Sequence, residues 1–293
     1  MANLKEVRNR IASVNSTQQI TKAMKMVAAA KLRRAQDSII QMRPYAHKLG
    51  EMLQTVSAGA EGAQENPYKQ ERPIERVLIV VITSDRGLCG AFNANVSKAA
   101  QTVINQKYAA QQQAGNVHIL SIGKKGGEFF TRRGYKVNHA YEDTFTRLSF
   151  TVVRQAAEDI MAAFVKGQYD IVEIVFNEFK NVATQVIRVE QFLPIVEKEA
   201  DDNAVKGDYI FEPSEEEIIK ELIPKSLKIQ LYRAVLESNA SEHGARMTAM
   251  DKATDNAGEL LKNLRIEYNR SRQAAITTEI LEIVAGAEAL AGA

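Results

Sequence analysis

From Leu4 to Val56 a single stripe keeps its register at alternating spacings of three and four residues. Its members are Leu4, Val7, Ile11, Val14, then Gln18, Thr21 and Lys25, then Ala28, Leu32, Ala35, Ile39, Met42, Ala46, Leu49, Leu53 and Val56. Alternation of three and four marks one face of a coiled-coil helix, and a strand cannot produce it over such a span. Gly50 is the only glycine and Pro44 the only proline in the stretch. The pattern therefore predicts one helix about 80 Å long, kinked at Pro44 because proline removes a backbone donor and crowds the preceding turn.

A second stripe closes the chain. From about Lys225, Ile229, Leu236, Ala240, Met247, Met250, Ala257, Leu261, Leu264 and Tyr268 share one heptad frame; beyond Tyr268 the frame slips by one residue to Ile276, Ile280, Ile283, Ala287 and Leu290. Such a slip changes the local winding, as expected where a helix leaves its partner. Ser214 with Glu217 forms a capping box, and Pro224 is expected to interrupt the helix that starts there. Two long stripes at the two ends of a chain bury each other most simply as an antiparallel pair.

The middle has another texture. After the aperiodic linker SAGAEGAQENPYKQERP, the run RVLIVVIT (76–83) is continuous and β-branched, as in a buried parallel strand. Helix 91–112, strand 117–122, helix 124–133, strand 135–137, helix 150–166 and strand 171–176 follow, with 184–192 as an edge strand. This alternation implies a doubly wound, mostly parallel α/β domain. The expected division is a helix over 1–57, a linker over 58–73, the α/β (Rossmann-like) domain over 74–200, a connection over 201–213 and helices over 214–293.

Composition narrows the functions. The 293 residues are 45% hydrophobic and 25% charged, a balance that forms a core. The net charge is only +2, but residues 1–57 hold ten Lys or Arg against three acids, which leaves −5 on the rest. The one cysteine, Cys89, excludes an internal disulfide and suits a reducing compartment. No run approaches a membrane span of about 20 residues, and the charged opening MANLKEVRNRI does not read as a secretory signal. The expected compartment is a cytosol.

Site chemistry is sparse. The turn TSDRGLCG (83–90) sits where doubly wound folds bind phosphates, but Gly87 and Gly90 fit neither G-x-G-x-x-G nor a Walker motif, and GKKGG (123–127) fits no better. The turn reads instead as a tight strand-to-helix connection needing positive φ. His47, His118, His139 and His243 do not cluster with carboxylates, so neither a metal site nor a cofactor is expected. His243, on a heptad position, reads as a satisfied interface histidine. No catalytic constellation stands out. The polar Gln18, Thr21 and Lys25 on the first stripe, with the surrounding basic residues, favour an acidic protein partner around the helices.

Several segments resemble the gamma subunits of F-type ATP synthases: VRNRIASVNSTQQITKAMKMVAAAKLRRAQ near the start, TSDRGLCGAFN, FEPS, and the long run from SEHGARMTAM to EIVAGAEAL. The end pattern Ile276-Thr277-x-Glu279-x-x-Glu282-x-x-x-Gly286-Ala287 is similar to that family's signature. The resemblance covers nearly the whole chain. It implies a central rotor shaft, one copy within a hexamer of alpha and beta subunits, with the α/β domain against the epsilon subunit and the c ring. ATP chemistry would belong to the beta subunits, and membrane contact would come only through partners, at the cytoplasmic face of a bacterial inner membrane.

By the same resemblance Met24, Lys25, Arg272, Gln273, Thr277 and Glu279 are expected to meet beta subunits, and Tyr209 and Glu212 the c ring or epsilon. No long redox-switch insertion is present, so Cys89 reads as a buried small residue. The competing reading is a basic coiled-coil scaffold whose α/β domain binds nucleic acid or a filament. Against it, the helices lack interleaved aromatics and any nucleic-acid motif.

Overall fold

The structure, a computed structural model, describes residues 4–59, 66–182, 184–195 and 215–291. The chain divides into two compact units, one of residues 1–27 with 247–293 and the other of residues 28–246. Two helices contribute to both units: α1 (Leu4–Gly59) and α6 (Glu215–Ala291). Ser214 of the expected capping box lies outside the described residues.

The larger unit is built on five strands, β1 (Val77–Ile82), β2 (Val117–Ile122), β3 (Lys136–Asn138), β4 (Ile171–Phe179) and β5 (Gln185–Leu193), in the order β3-β2-β1-β4-β5. Pairs β1–β2, β1–β4 and β2–β3 are parallel, whereas β5 runs antiparallel to β4 as the expected edge strand. All six residues of β1 are buried, because helices cover both faces. On one face Leu78, Val80 and Ile82 meet Ala157, Met161 and Phe164 of α5 (Phe150–Val165) and Ile223, Leu227, Leu231 and Val235 of α6. On the other, Val77, Ile79 and Val81 meet Val96, Ala100 and Ile104 of α2 (Phe92–Lys107) and Phe130 of α4 (Lys124–Thr131).

Two expectations are corrected here. The helix predicted over 91–112 is divided: α2 ends at Lys107 and a short α3 (Ala109–Gln113) follows. The break is at Tyr108, whose buried hydroxyl donates to Glu173 of β4 at 2.8 Å, while Lys107 reaches the same carboxylate at 3.0 Å. This contact across the fold outweighs local helix propensity. Pro224 does not interrupt α6, which runs through it. The residues around it, Ile223 and Leu227, are buried in the sheet's core, and their packing holds the backbone helical past the missing donor. Helix α1 continues through Pro44, as its single stripe implies.

The smaller unit is an antiparallel helix pair. Lys25 lies by Asp251, Thr21 by Thr254 and Gln18 by both Thr254 and Gly258, so rising numbers on α1 meet falling numbers on α6. Val7 of α1 and Met250, Ala257, Leu261 and Leu264 of α6 are buried, as their heptad positions predicted.

Candidate interaction sites on the helices

In the smaller unit the apolar seam is crossed by a polar layer. Thr254 and Thr21 hydroxyls are 2.8 Å apart, Thr21 donates to Gln18 O at 3.0 Å, and the Gln18 amide reaches Thr254 O at 3.5 Å. Gly258 makes room for it, since a Cβ there would come within 3.0 Å of Gln18 Nε2. Lys25 pairs with Asp251, with the two side chains 40% and 48% exposed. The polarity of Gln18, Thr21 and Lys25 is thus answered inside the helix pair, and it no longer argues by itself for an acidic partner. Met24 is half-buried beside this layer.

Further along α6 cover disappears. Tyr268 and Ser271 are half-buried, and from Arg272 to Ala287 every residue is exposed, among them Arg272, Gln273, Thr277 and Glu279. Ile276, Ile280, Leu281, Ile283 and Val284 are also exposed, at 47 to 67%. The frame slip read from the sequence therefore falls where α6 has no cover from α1. The structure brings Met24 and Lys25 together on α1 and Arg272, Gln273, Thr277 and Glu279 together on α6. Tyr209 and Glu212 lie outside the described residues.

In the larger unit the turn after β1 is filled by its own side chains. Gly126 N–H donates to Thr83 Oγ1 at 2.7 Å, Ser84 N–H to Asn93 Oδ1 at 2.9 Å, and Ser84 Oγ to Arg86 O at 2.7 Å. Positive φ falls on Leu88 (65°) and Gly90 (60°), so the non-glycine Leu88 and not Gly87 takes one left-handed position. Cys89 is buried, as expected, against Ser84 and Asn93, and burial pushes its thiol up from the ordinary value. His243 departs from its expectation. Its Nδ1 is buried without a hydrogen-bond partner, and burial, helped by Lys31 and Arg246, lowers its pKa to about 4. Exclusion from water, with two cations nearby, holds it neutral.

A helix pair with a partly polar seam and an uncovered end, carried with a mostly parallel α/β unit, defines the class: an assembly component that offers helix surface to other subunits. A family described as ATP synthase matches residues 3–290. The ATP synthase gamma chain of Cytophaga hutchinsonii is 63% identical over 293 residues, with 99% of each chain covered, and that of Flavobacterium johnsoniae is 54% identical with both chains fully covered. The chain belongs to the ATP synthase gamma chain family.

Among solved structures, the central stalk and c-ring of Tetrahymena thermophila mitochondrial ATP synthase matches at TM-score 0.57 and 25% identity, over 80% of this chain and 99% of that one. The OSCP/F1/c-ring structure of Euglena gracilis mitochondrial ATP synthase shares the fold at TM-score 0.67 and 21% identity, over 98% of this chain and 94% of that one. This family membership leaves the reading as a scaffold for nucleic acid or a filament without support. Among the described residues no helix is long and apolar enough to cross a membrane.

Proposed function

We propose that the chain is the central stalk rotor of an F-type ATP synthase, one copy per complex, coupling ion flow through a c ring to ATP synthesis and hydrolysis at beta subunits by turning. The observation that carries this reading is the uncovered end of α6: sixteen consecutive exposed residues, Arg272 to Ala287, with five exposed large apolar side chains. Such a stretch is costly in water and is suited to a surrounding collar of partner subunits.

In this reading the chain performs no chemistry of its own; ATP turns over in the beta subunits of an alpha–beta hexamer. As the helices turn they present a different side to each beta subunit, which biases each toward a different conformation through differential contact. Met24 and Lys25 face one level of the beta subunits and Arg272, Gln273, Thr277 and Glu279 another, while Tyr209 and Glu212 face the c ring or epsilon. Membrane contact is made only through partners, at the cytoplasmic face of a bacterial inner membrane.

The test sets two ends of the rotor against each other in membranes carrying the complete complex. Arg272→Ala with Gln273→Leu removes a charged contact worth roughly 1.5 to 3 kcal/mol and a polar one worth roughly 0.5 to 1.5 kcal/mol, so ATP hydrolysis and ATP-driven ion pumping fall together. Glu212→Lys reverses a charge at a residue proposed to meet the c ring or epsilon, so hydrolysis persists while pumping, read by quenching of a pH-sensitive dye, drops. Equal losses of both activities at Glu212 remove it from the coupling interface.

A further inference from the structure

In open α/β sheets, ligands settle outside the carboxyl ends of the strands where the strand order reverses. Here that point lies at β1, with β2 and β3 on one side and β4 and β5 on the other. The place is taken by the chain's own α6. Ser238 Oγ donates to Ile82 O at 3.4 Å, at the end of β1, and Ser241 Oγ to Asn177 O of β4 at 3.2 Å. Glu237, 5% exposed, accepts the Phe179 N–H at 3.0 Å and pairs with Arg43 at 3.2 Å.

One turn further, Arg246 donates to Arg86 O at 3.2 Å and to Gly87 O, and Glu242 holds its guanidinium at 2.6 Å. The Arg246 and Glu242 side chains are only 13% and 10% exposed. A planar fork reaching two carbonyls while a third group fixes it suits arginine and not lysine. What it grips is the strained part of the turn: Leu88, left-handed and 65% exposed, follows directly. Conformations of that kind persist only where the surroundings over-determine them.

We propose that Arg246 is a positioning residue for torque transfer: with Glu242 it clips the 84–90 turn, and through it the end of β1, onto α6, so that sheet and helix move as one piece. The proposal rests on the rotor reading. Torque entering through the α/β unit must pass into α6, and a strand end that slips against the helix converts rotation into local motion.

The experiment uses the assembled ATP synthase carrying the chain unsubstituted, Arg246→Met, Arg246→Lys or Glu242→Gln. Two quantities are read: amide hydrogen exchange over 85–90 and the ratio of ATP-driven ion pumping to ATP hydrolysis. Arg246→Met is expected to speed exchange in the turn about tenfold while the core of β4 stays protected, and to lower the ratio about threefold. Arg246→Lys recovers only part of both. Glu242→Gln, which keeps the size of the side chain and drops its charge, gives smaller changes of the same sign, and it decides the matter if the methionine variant does not assemble.

Faster exchange with an unchanged ratio overturns the role in coupling, and unchanged exchange overturns the clip itself. A complex that hydrolyses ATP but pumps nothing even with the unsubstituted chain defeats the rotor reading, a failure distinct from either because it precedes any substitution.

Discussion

The same two helices are packed in opposite ways in the two units. In residues 28–246, α6 lays Ile223, Leu227, Leu231 and Val235 against a sheet whose central strand has no exposed residue, and the polar groups nearby are tied to strand backbone. In residues 1–27 with 247–293, the seam is crossed by Gln18, Thr21, Lys25, Asp251 and Thr254, and α6 then loses all cover. A dry, two-sided core fixes one structure through cavity-sensitive packing. A thin seam with a polar layer fixes register at little gain in stability, as a buried polar residue does in a coiled coil. One unit is arranged to be stable and the other to be contacted.

The largest separation of the two is expected from core truncation. Phe164→Ala, at a side chain with no exposure, should lower the stability of the larger unit by about 3–5 kcal/mol, whereas Leu264→Ala in the helix pair should cost about 2 kcal/mol. Urea denaturation followed by circular dichroism and by amide exchange reads both, and equal losses would erase the contrast.

Next comes acid. His243 titrates near pH 4 when folded and near its ordinary 6.5 when unfolded, so between these values the unfolded chain binds the extra proton. The stability contributed is full above pH 6.5, falls as pH drops toward 4 and amounts to about 3 kcal/mol at most. His243→Gln should flatten that part of the profile. Asp170 acts below it: burial raises its carboxyl, but the Arg76 amide and guanidinium and the Glu75 amide outweigh burial and hold it below the usual range. Its contribution is therefore lost only at still lower pH.

Smaller effects belong to the helix pair. Asp251→Ala should cost less than about 1 kcal/mol, because both members of its ion pair are well exposed. Thr21→Val with Thr254→Val removes both partners together and should stay within about 0.5 kcal/mol of the parent chain. Smallest of all, removing the residues after Ala285 should leave the thermal transition of the larger unit unchanged while weakening ATP-driven pumping in the complex. A shifted transition would show that the tail packs elsewhere.

Much of this was legible in the residues, for reasons that can be named. The heptad stripes and the unbroken run Val77–Ile82 announce themselves because burial on one stripe, or on both faces, leaves a periodic record. The break at Tyr108 left none, since it is set by Glu173 in a strand 65 residues away. Pro224 does not end its helix, because packing of Ile223 and Leu227 overrides the proline rule. At the turn after β1 the expected positive φ is found at Gly90, but Leu88 takes it as well, and nothing in a leucine announces a left-handed backbone.

The exposed set Arg272, Gln273, Thr277 and Glu279 came from resemblance, and its exposure matches the frame slip seen beyond Tyr268. Arg246 carries no such signal. Four residues after Glu242 on a helix, it reads in sequence as an ordinary surface ion pair, and only the fold shows it half-buried and bonded to the carbonyls of Arg86 and Gly87.

Rotation itself is the direct measurement. Cys89 is buried, so Arg132→Cys at an exposed position after α4 offers a thiol for attaching a bead or gold rod to the chain in surface-fixed complexes with alpha and beta subunits. On addition of ATP the probe is expected to turn continuously in one direction, at a rate that follows hydrolysis. Full hydrolysis with the chain bound, and a probe that only fluctuates about a fixed angle, would contradict the rotor.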